Sequence, residues 1–315
     1  MKRKQDPGHG VHLRPRKVAV ALAVVGGVVL SGCSAPGSNQ PASNHQPTVL
    51  ATFTVLADIA RNIAGEHLRV ESLTKQGAEI HEYEPTPSDV KKAQDADLIL
   101  ANGMGLEGWL GQFTASSKAQ TVTLSQGVEP ISIADGQAQG QQNPHAWMSP
   151  SNAEIYVDNT VRALTELDPQ HAQDFETNAA RYKRELREIQ KELRGSLAGL
   201  PEGHKTLVTC EGAFSYLAQD AGLSEDYLWA VNSDAQVSAR TTAEVIDRVR
   251  EKRVPAVFCE STVNDSAMRQ VVADTGASFG GALYVDSLSD EGGDVPTYLD
   301  LLRYDVRLIA EGLTK

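Results

Sequence analysis

The chain has little cysteine: three residues in 315. That excludes a small disulfide-stapled scaffold. It has no apolar run near the roughly 20 residues that a membrane-spanning helix needs. The run at residues 18–30 holds only 13. No two arginines stand side by side before that run, which argues against a twin-arginine export signal. Positive charge is scarce too, with 29 Lys and Arg against 41 Asp and Glu, for a net charge of −12. A chain this acidic is a poor binder of nucleic acid.

The N-terminus carries what positive charge there is. Lys2, Arg3, Lys4, Arg14, Arg16 and Lys17 precede the apolar run, as in a signal peptide. Leu30-Ser31-Gly32-Cys33 follows and looks like a lipobox, in which Cys33 is acylated and becomes the new N-terminus. Residues 1–32 hold those six basic residues and one acidic residue, so the rest of the chain carries −17. Residues 34–48 are rich in Pro, Gly, Ser, Asn and Gln, and read as a disordered tether.

From residue 49 onward, short β-rich runs alternate with helical stretches. Strands are predicted at residues 49–55, 70–73, 97–101 and 121–124, with helices at 57–64 and 88–96 between them. That rhythm predicts a mostly parallel sheet flanked by helices. Ser151-Asn-Ala-Glu154 resembles a capping box and opens a helix to about Leu167. Phe175, Ala179, Tyr182, Leu186, Ile189, Leu193 and Leu197 then recur at spacings of three and four, one stripe of a long amphipathic helix. A second alternating block follows. Strands are predicted at 206–210, 257–259 and 281–285, and helices at 214–221, 265–275 and 298–311. A further capping box is predicted at Thr241-Thr-Ala-Glu244.

The fold class expected is therefore α/β: two lobes, each a mostly parallel sheet flanked by helices, joined by one long backbone helix. The divisions are a signal peptide at 1–32, a tether at 33–48, a first lobe at 49–167, the linking helix at 168–200 and a second lobe at 201–315. Ligands of open α/β sheets gather beyond the carboxyl ends of the strands. Four residues stand beside predicted strand ends or turns: His81, His145, Glu211 and Asp286. Brought together, they would offer two imidazole nitrogens and up to four carboxylate oxygens. That set suits a divalent cation harder than zinc.

The segments around these residues resemble the solute-binding lipoproteins of bacterial metal ABC importers, in the manganese/iron branch. They are Gly77-Ala-Glu-Ile-His-Glu-Tyr-Glu-Pro85, Asn143-Pro-His-Ala-Trp147, Glu211-Gly-Ala-Phe-Ser-Tyr216 and Gly280-Gly-Ala-Leu-Tyr-Val-Asp-Ser-Leu288. The resemblance runs over nearly all of residues 49–313. It implies two α/β lobes joined by a rigid helix and a metal buried between them, held by His81, His145, Glu211 and Asp286. Partners implied are a cognate ABC permease and its ATPase, with a lipid anchor on Cys33 at the membrane; the chain is expected to be monomeric. Zinc-specific members usually have histidine at the third ligand position and a histidine-rich loop before the second ligand. Here the third position is Glu211, and residues 135–143 contain no histidine. Both departures favour Mn2+, or Fe2+, as cargo, with Zn2+ as a competitor.

The remaining histidines, His9, His12, His45, His67, His171 and His204, read as surface or satisfied core residues. Glu260 stands at a strand end, either beside the site or in a purely structural hydrogen bond. Trp147 and Met148 are expected to wall the site. Cys210 and Cys259 each precede a glutamate, and are either two buried thiols or, if the strand ends are neighbours, a disulfide. Imidazoles bind metal only when neutral, so binding is expected to weaken below about pH 6.5. The alternatives are a zinc-delivering receptor of the same family, a metalloenzyme with two histidines and two carboxylates, and an adhesin. An enzyme would need an open coordination position and a substrate cavity.

Overall fold

The computed structural model describes residues 46–115, 117–134, 138–231 and 237–315. The expected signal peptide, the lipidation site Cys33 and nearly all of the tether lie outside them. Among the described residues, no helix is long and apolar enough to cross a membrane.

The first lobe is built from β1 (Thr48–Ala51), α1 (Thr54–Ala64), β2 (Arg69–Ser72), α2 (Pro87–Asp95), β3 (Leu98–Ala101), α3 (Leu110–Thr114) and β4 (Gln120–Thr123). The strands form one parallel sheet in the order β2-β1-β3-β4. β1 and β3 are central and almost wholly apolar, as strands covered on both faces must be. The strand predicted at 49–55 is shorter than expected. From Thr54 on, Val55, Leu56, Ile59, Ala60 and Ile63 bury at helical spacing, so the chain turns into α1 there.

Two long helices follow, α4 (Pro150–Leu167) and α5 (Ala172–Leu197). The cap of α4 is Ser149, whose side chain accepts from the Asn152 N–H, with Pro150 in the first turn. The Ser151 box is thus displaced by two residues, because Pro at the first helical position leaves no N–H to satisfy. The buried side chains of α5 are the seven of the predicted stripe. Leu186 and Leu193 are fully buried, each contributing about 1.5–3 kcal/mol relative to exposure. The helix packs against α1, α4 and α9 (Tyr298–Leu313).

The second lobe continues with β5 (Thr206–Glu211), α6 (Ser215–Ala221), β6 (Ser224–Trp229), α7 (Ala239–Lys252), β7 (Ala256–Glu260), α8 (Ser266–Thr275) and β8 (Ser278–Leu283), and closes with α9. β5 pairs with β6 and β7 with β8, all parallel. β6 was not foreseen; its Ser-Glu-Asp-Tyr-Leu-Trp sequence is half polar because its first residues are only partly covered. The cap of α7 is Ser238, not the Thr241 box. In β8, Gly281 lies opposite Phe258 at φ +132, and a side chain at Gly280 would collide with the Phe258 ring. These two glycines let β8 close onto β7 just before Asp286.

β5 and β7 are joined by a disulfide between Cys210 and Cys259, with Cα atoms 4.8 Å apart. It closes a loop with a sequence separation of 49. Cross-links of this kind stabilise by about 2–4 kcal/mol. Changing both cysteines to alanine should therefore lower the melting temperature, and a strong reductant should bring the unaltered protein down to the same value. Equal melting curves with and without the cross-link would contradict this.

Candidate metal centre

Strand direction places the carboxyl ends of β5 and β8 on the side facing the first lobe's loops. Glu211 is the last residue of β5 and is buried. Its N–H donates to the Glu260 carboxylate at 3.2 Å. Of the two readings open for Glu260, the side chain thus fastens the backbone of Glu211. Asp286 follows β8 by three residues. Its segment is tied to the first lobe: Trp147 Nε1–H donates to the Val285 carbonyl at 3.1 Å, and Leu288 N–H donates to Thr54 Oγ1 at 3.0 Å. Thr262 Oγ1 lies 3.5 Å from Asp286 Oδ2.

His81 sits in the long loop between β2 and α2. Glu79 shapes the turn, accepting from the N–H groups of His81 (2.7 Å) and Glu82 (2.9 Å). Trp109 Nε1–H holds the Ile80 carbonyl, and Gly77 N–H donates to Ser287 Oγ at 2.6 Å. His145 precedes the short 3₁₀ turn Ala146–Met148. Its Nδ1 is 2.9 Å from Asn143 Oδ1, and its own N–H reaches the same oxygen at 3.1 Å. The Asn143 amide is held across the lobes by the Gly212 carbonyl and Ser215 Oγ. Nδ1–H therefore donates, and the Nε2 lone pair of His145 faces the centre.

The four side chains converge. The two Nε2 atoms are 3.1 Å apart. His81 Nε2 is 3.8 Å from Glu211 Oε1 and 4.0 Å from Asp286 Oδ1, and His145 Nε2 is 3.9 Å from the same Oδ1. Two donors each about 2.1 Å from one cation lie roughly 3.0 Å apart at a right angle and about 4.0 Å apart at roughly 145°. The observed separations fill that interval. Asp286 Oδ1 and His81 Nδ1 are buried without a hydrogen-bond partner. The side chains of all four are 5 % exposed or less.

Burial dominates the charge states. It lowers His81 to about 4, against a small opposing pull from Glu79. It lowers His145 well below the ordinary histidine range, helped by His81. It raises Asp286 to about 7, with Glu79 adding and Thr262 opposing. Burial also raises Glu260 to about 8. Both imidazoles are therefore neutral well below pH 6.5, and the Asp286 carboxyl is raised toward neutrality. That revises the expected cause of acid weakening from histidine to carboxylate.

Trp147 walls the site, its ring centroid 5.1 Å from that of His145. Met148 is buried beside it in the same core. His67 stacks on His171 and pairs with Asp174, and His204 meets the Leu313 carbonyl, all away from the centre. Asn143 and Glu79 were passed over in the sequence. The signal for Asn143 was its place two residues before His145; Glu79 had none beyond an acidic residue near a histidine.

A family model described as zinc-uptake complex component A, periplasmic, matches residues 49–312. The chain belongs to this family of periplasmic metal-uptake components. It is 46 % identical over 298 residues to the iron-binding protein YfeA of Yersinia pestis, covering 94 % of this chain and 96 % of that one. It is 32 % identical over 296 residues to the manganese ABC transporter substrate-binding lipoprotein PsaA of Streptococcus mitis, covering 91 % and 96 %. The structure of a Mn-bound periplasmic metal binding protein from Candidatus Liberibacter asiaticus superposes with a TM-score of 0.80 at 38 % identity, covering 85 % of this chain and all of the other. The two-lobed α/β architecture with its long helix is that of the family.

Proposed function

We propose that this chain is an extracytoplasmic receptor that captures Mn(II), or Fe(II), between its lobes and delivers it to an ABC permease and its ATPase. The observation that carries the reading is that the buried His81 Nε2 has His145, Glu211 and Asp286 within 3.1–4.0 Å of it, separations that two ligands of one cation would show. Two carboxylates balance the charge of a divalent ion, so the loaded centre is close to neutral and burial is tolerable. Each carboxylate can bind through one or both oxygens. The coordination number then rises above the four that zinc prefers, which suits manganese and ferrous iron.

The remaining assignments follow from the same reading. Residues 1–32 direct export, Cys33 is acylated, and residues 33–48 tether the body to the membrane. Residues 49–167 and 201–315 are the metal-binding lobes, and 168–200 is the link. With α5 packed against helices of both lobes, capture and release proceed by small lobe shifts rather than a wide hinge.

The zinc named in the family description is the second reading, and Glu211 in place of a third imidazole speaks against it. Affinity for one ligand set rises from manganese toward zinc, so zinc should still bind, as tightly as manganese or more so. Titration of the metal-free protein with each ion tests that, and undetectable zinc binding would refute it. Cargo is identified by elemental analysis of protein isolated from its native envelope, together with labelled-metal uptake in a deletion strain. Zinc alone in the isolated protein, with unchanged manganese and iron uptake, would overturn the manganese or iron assignment.

A further inference from the structure

Two sets of donors overlap at this centre. His81, His145 and Glu211 bring donor atoms within 4.8 Å of one another, and so do Glu79, His81 and Asp286. The first set is buried. The second reaches solvent through Glu79, which is exposed, while Asp286 is 2 % exposed with an unpartnered Oδ1. Glu79 is not needed for charge balance, because Glu211 and Asp286 already match a divalent ion. It is nonetheless held in place, its two oxygens each accepting a backbone N–H from the turn that carries His81.

A hydrated cation cannot shed its water in one step without a large desolvation cost. A carboxylate at the rim, within reach of two inner ligands, lets waters be replaced one at a time. We propose that Glu79, His81 and Asp286 form an outer, transient binding site for a hydrated divalent cation, through which the ion enters and leaves the inner site. This rests on the reading of the inner site as a metal site. An outer station on the path stabilises the ion in passage, so it speeds both directions and leaves the equilibrium nearly unchanged. A final ligand would instead act mainly on the off-rate. A general acidic field would act on the on-rate, be shared by neighbouring acids and vanish at high salt.

The test is stopped-flow binding and release of Mn(II) by the purified protein, read by fluorescence of the tryptophan beside His145. Glu79→Gln, Glu79→Asp and Glu82→Gln are compared with the unaltered chain at low and high ionic strength. Glu79→Gln should slow association and dissociation together by about tenfold, with Kd changed by less than about threefold. Glu79→Asp, which keeps the charge and an acceptor for the turn, should stay within about threefold of the unaltered rates, as should Glu82→Gln. Unchanged rates in Glu79→Gln overturn the proposal. So does an effect confined to the off-rate, equal slowing in Glu82→Gln that salt removes, or Glu79→Asp as slow as Glu79→Gln. If the unaltered protein does not bind Mn(II), the inner-site reading fails first and takes this one with it.

Discussion

Asp286→Asn should weaken Mn(II) binding by about 10²–10³-fold while leaving the metal-free protein at least as stable as before. Breaking one partner of a buried ion pair costs about 3–5 kcal/mol, and each 1.4 kcal/mol is tenfold in affinity. With asparagine, the ion keeps a neutral oxygen but loses one of two compensating charges in a site closed to water. The metal-free protein feels the opposite effect. There the Asp286 carboxyl is fully buried and raised to about 7, with Oδ1 unpartnered, so removing its charge relieves a desolvation cost. Calorimetric titration with thermal melts of the metal-free form checks both halves. Wild-type affinity in the variant would remove Asp286 from the ligand set. Weak binding together with an unfolded metal-free form would mean the residue holds the loop rather than the ion.

Mn(II) affinity should rise by roughly 20–30-fold between pH 5.5 and 7.5 and level off above. In the metal-free folded state Asp286 is raised to about 7 and Glu260 to about 8, from ordinary values of 3.8 and 4.5. The folded chain therefore holds more protons than the unfolded chain between about pH 4 and those values. Stability contributed by these groups is fully present below about pH 4 and declines as pH rises through 7 to 8. A bound cation takes the ionised form of Asp286 and so must displace its proton below pH 7. The imidazoles take no part in this window, because His81 is lowered to about 4 and His145 lies well below its usual range. The rise in melting temperature caused by Mn(II) should accordingly be larger at pH 7.5 than at pH 5.5. Titrations in buffers of different ionisation enthalpy should show close to one proton released per ion at pH 6. A flat affinity across the window, with no proton released, would show that Asp286 is already ionised without metal.

Much of this was legible in the residues. The stripe from Phe175 to Leu197 is the buried face of α5, because three-four periodicity depends only on local helix geometry. The near-continuous apolar runs of β1, β3 and β7 marked strands covered on both faces. Caps are less legible. Ser149 and Ser238 hold the two helices that the Ser151 and Thr241 boxes suggested, since several hydroxyl residues in a row offer equivalent local signals and only the backbone path selects one. β6 escaped notice because its pairing with β5, not its composition, makes it a strand.

The long helix, the alternation of strands and helices and the placing of His81, His145, Glu211 and Asp286 at turns and strand ends follow from local chemistry, which each short segment carries in its own side chains. The 3.1–4.0 Å separations among these side chains, the cross-link of Cys210 to Cys259 and the clamp of Glu260 on Glu211 depend on where loops far apart in the chain come to rest. So do the approach of Glu79 to Asp286 and the burial that lifts the Asp286 carboxyl and lowers both imidazoles. Distance and desolvation arise only when separate segments pack against one another, and no pattern along one strand of sequence encodes them.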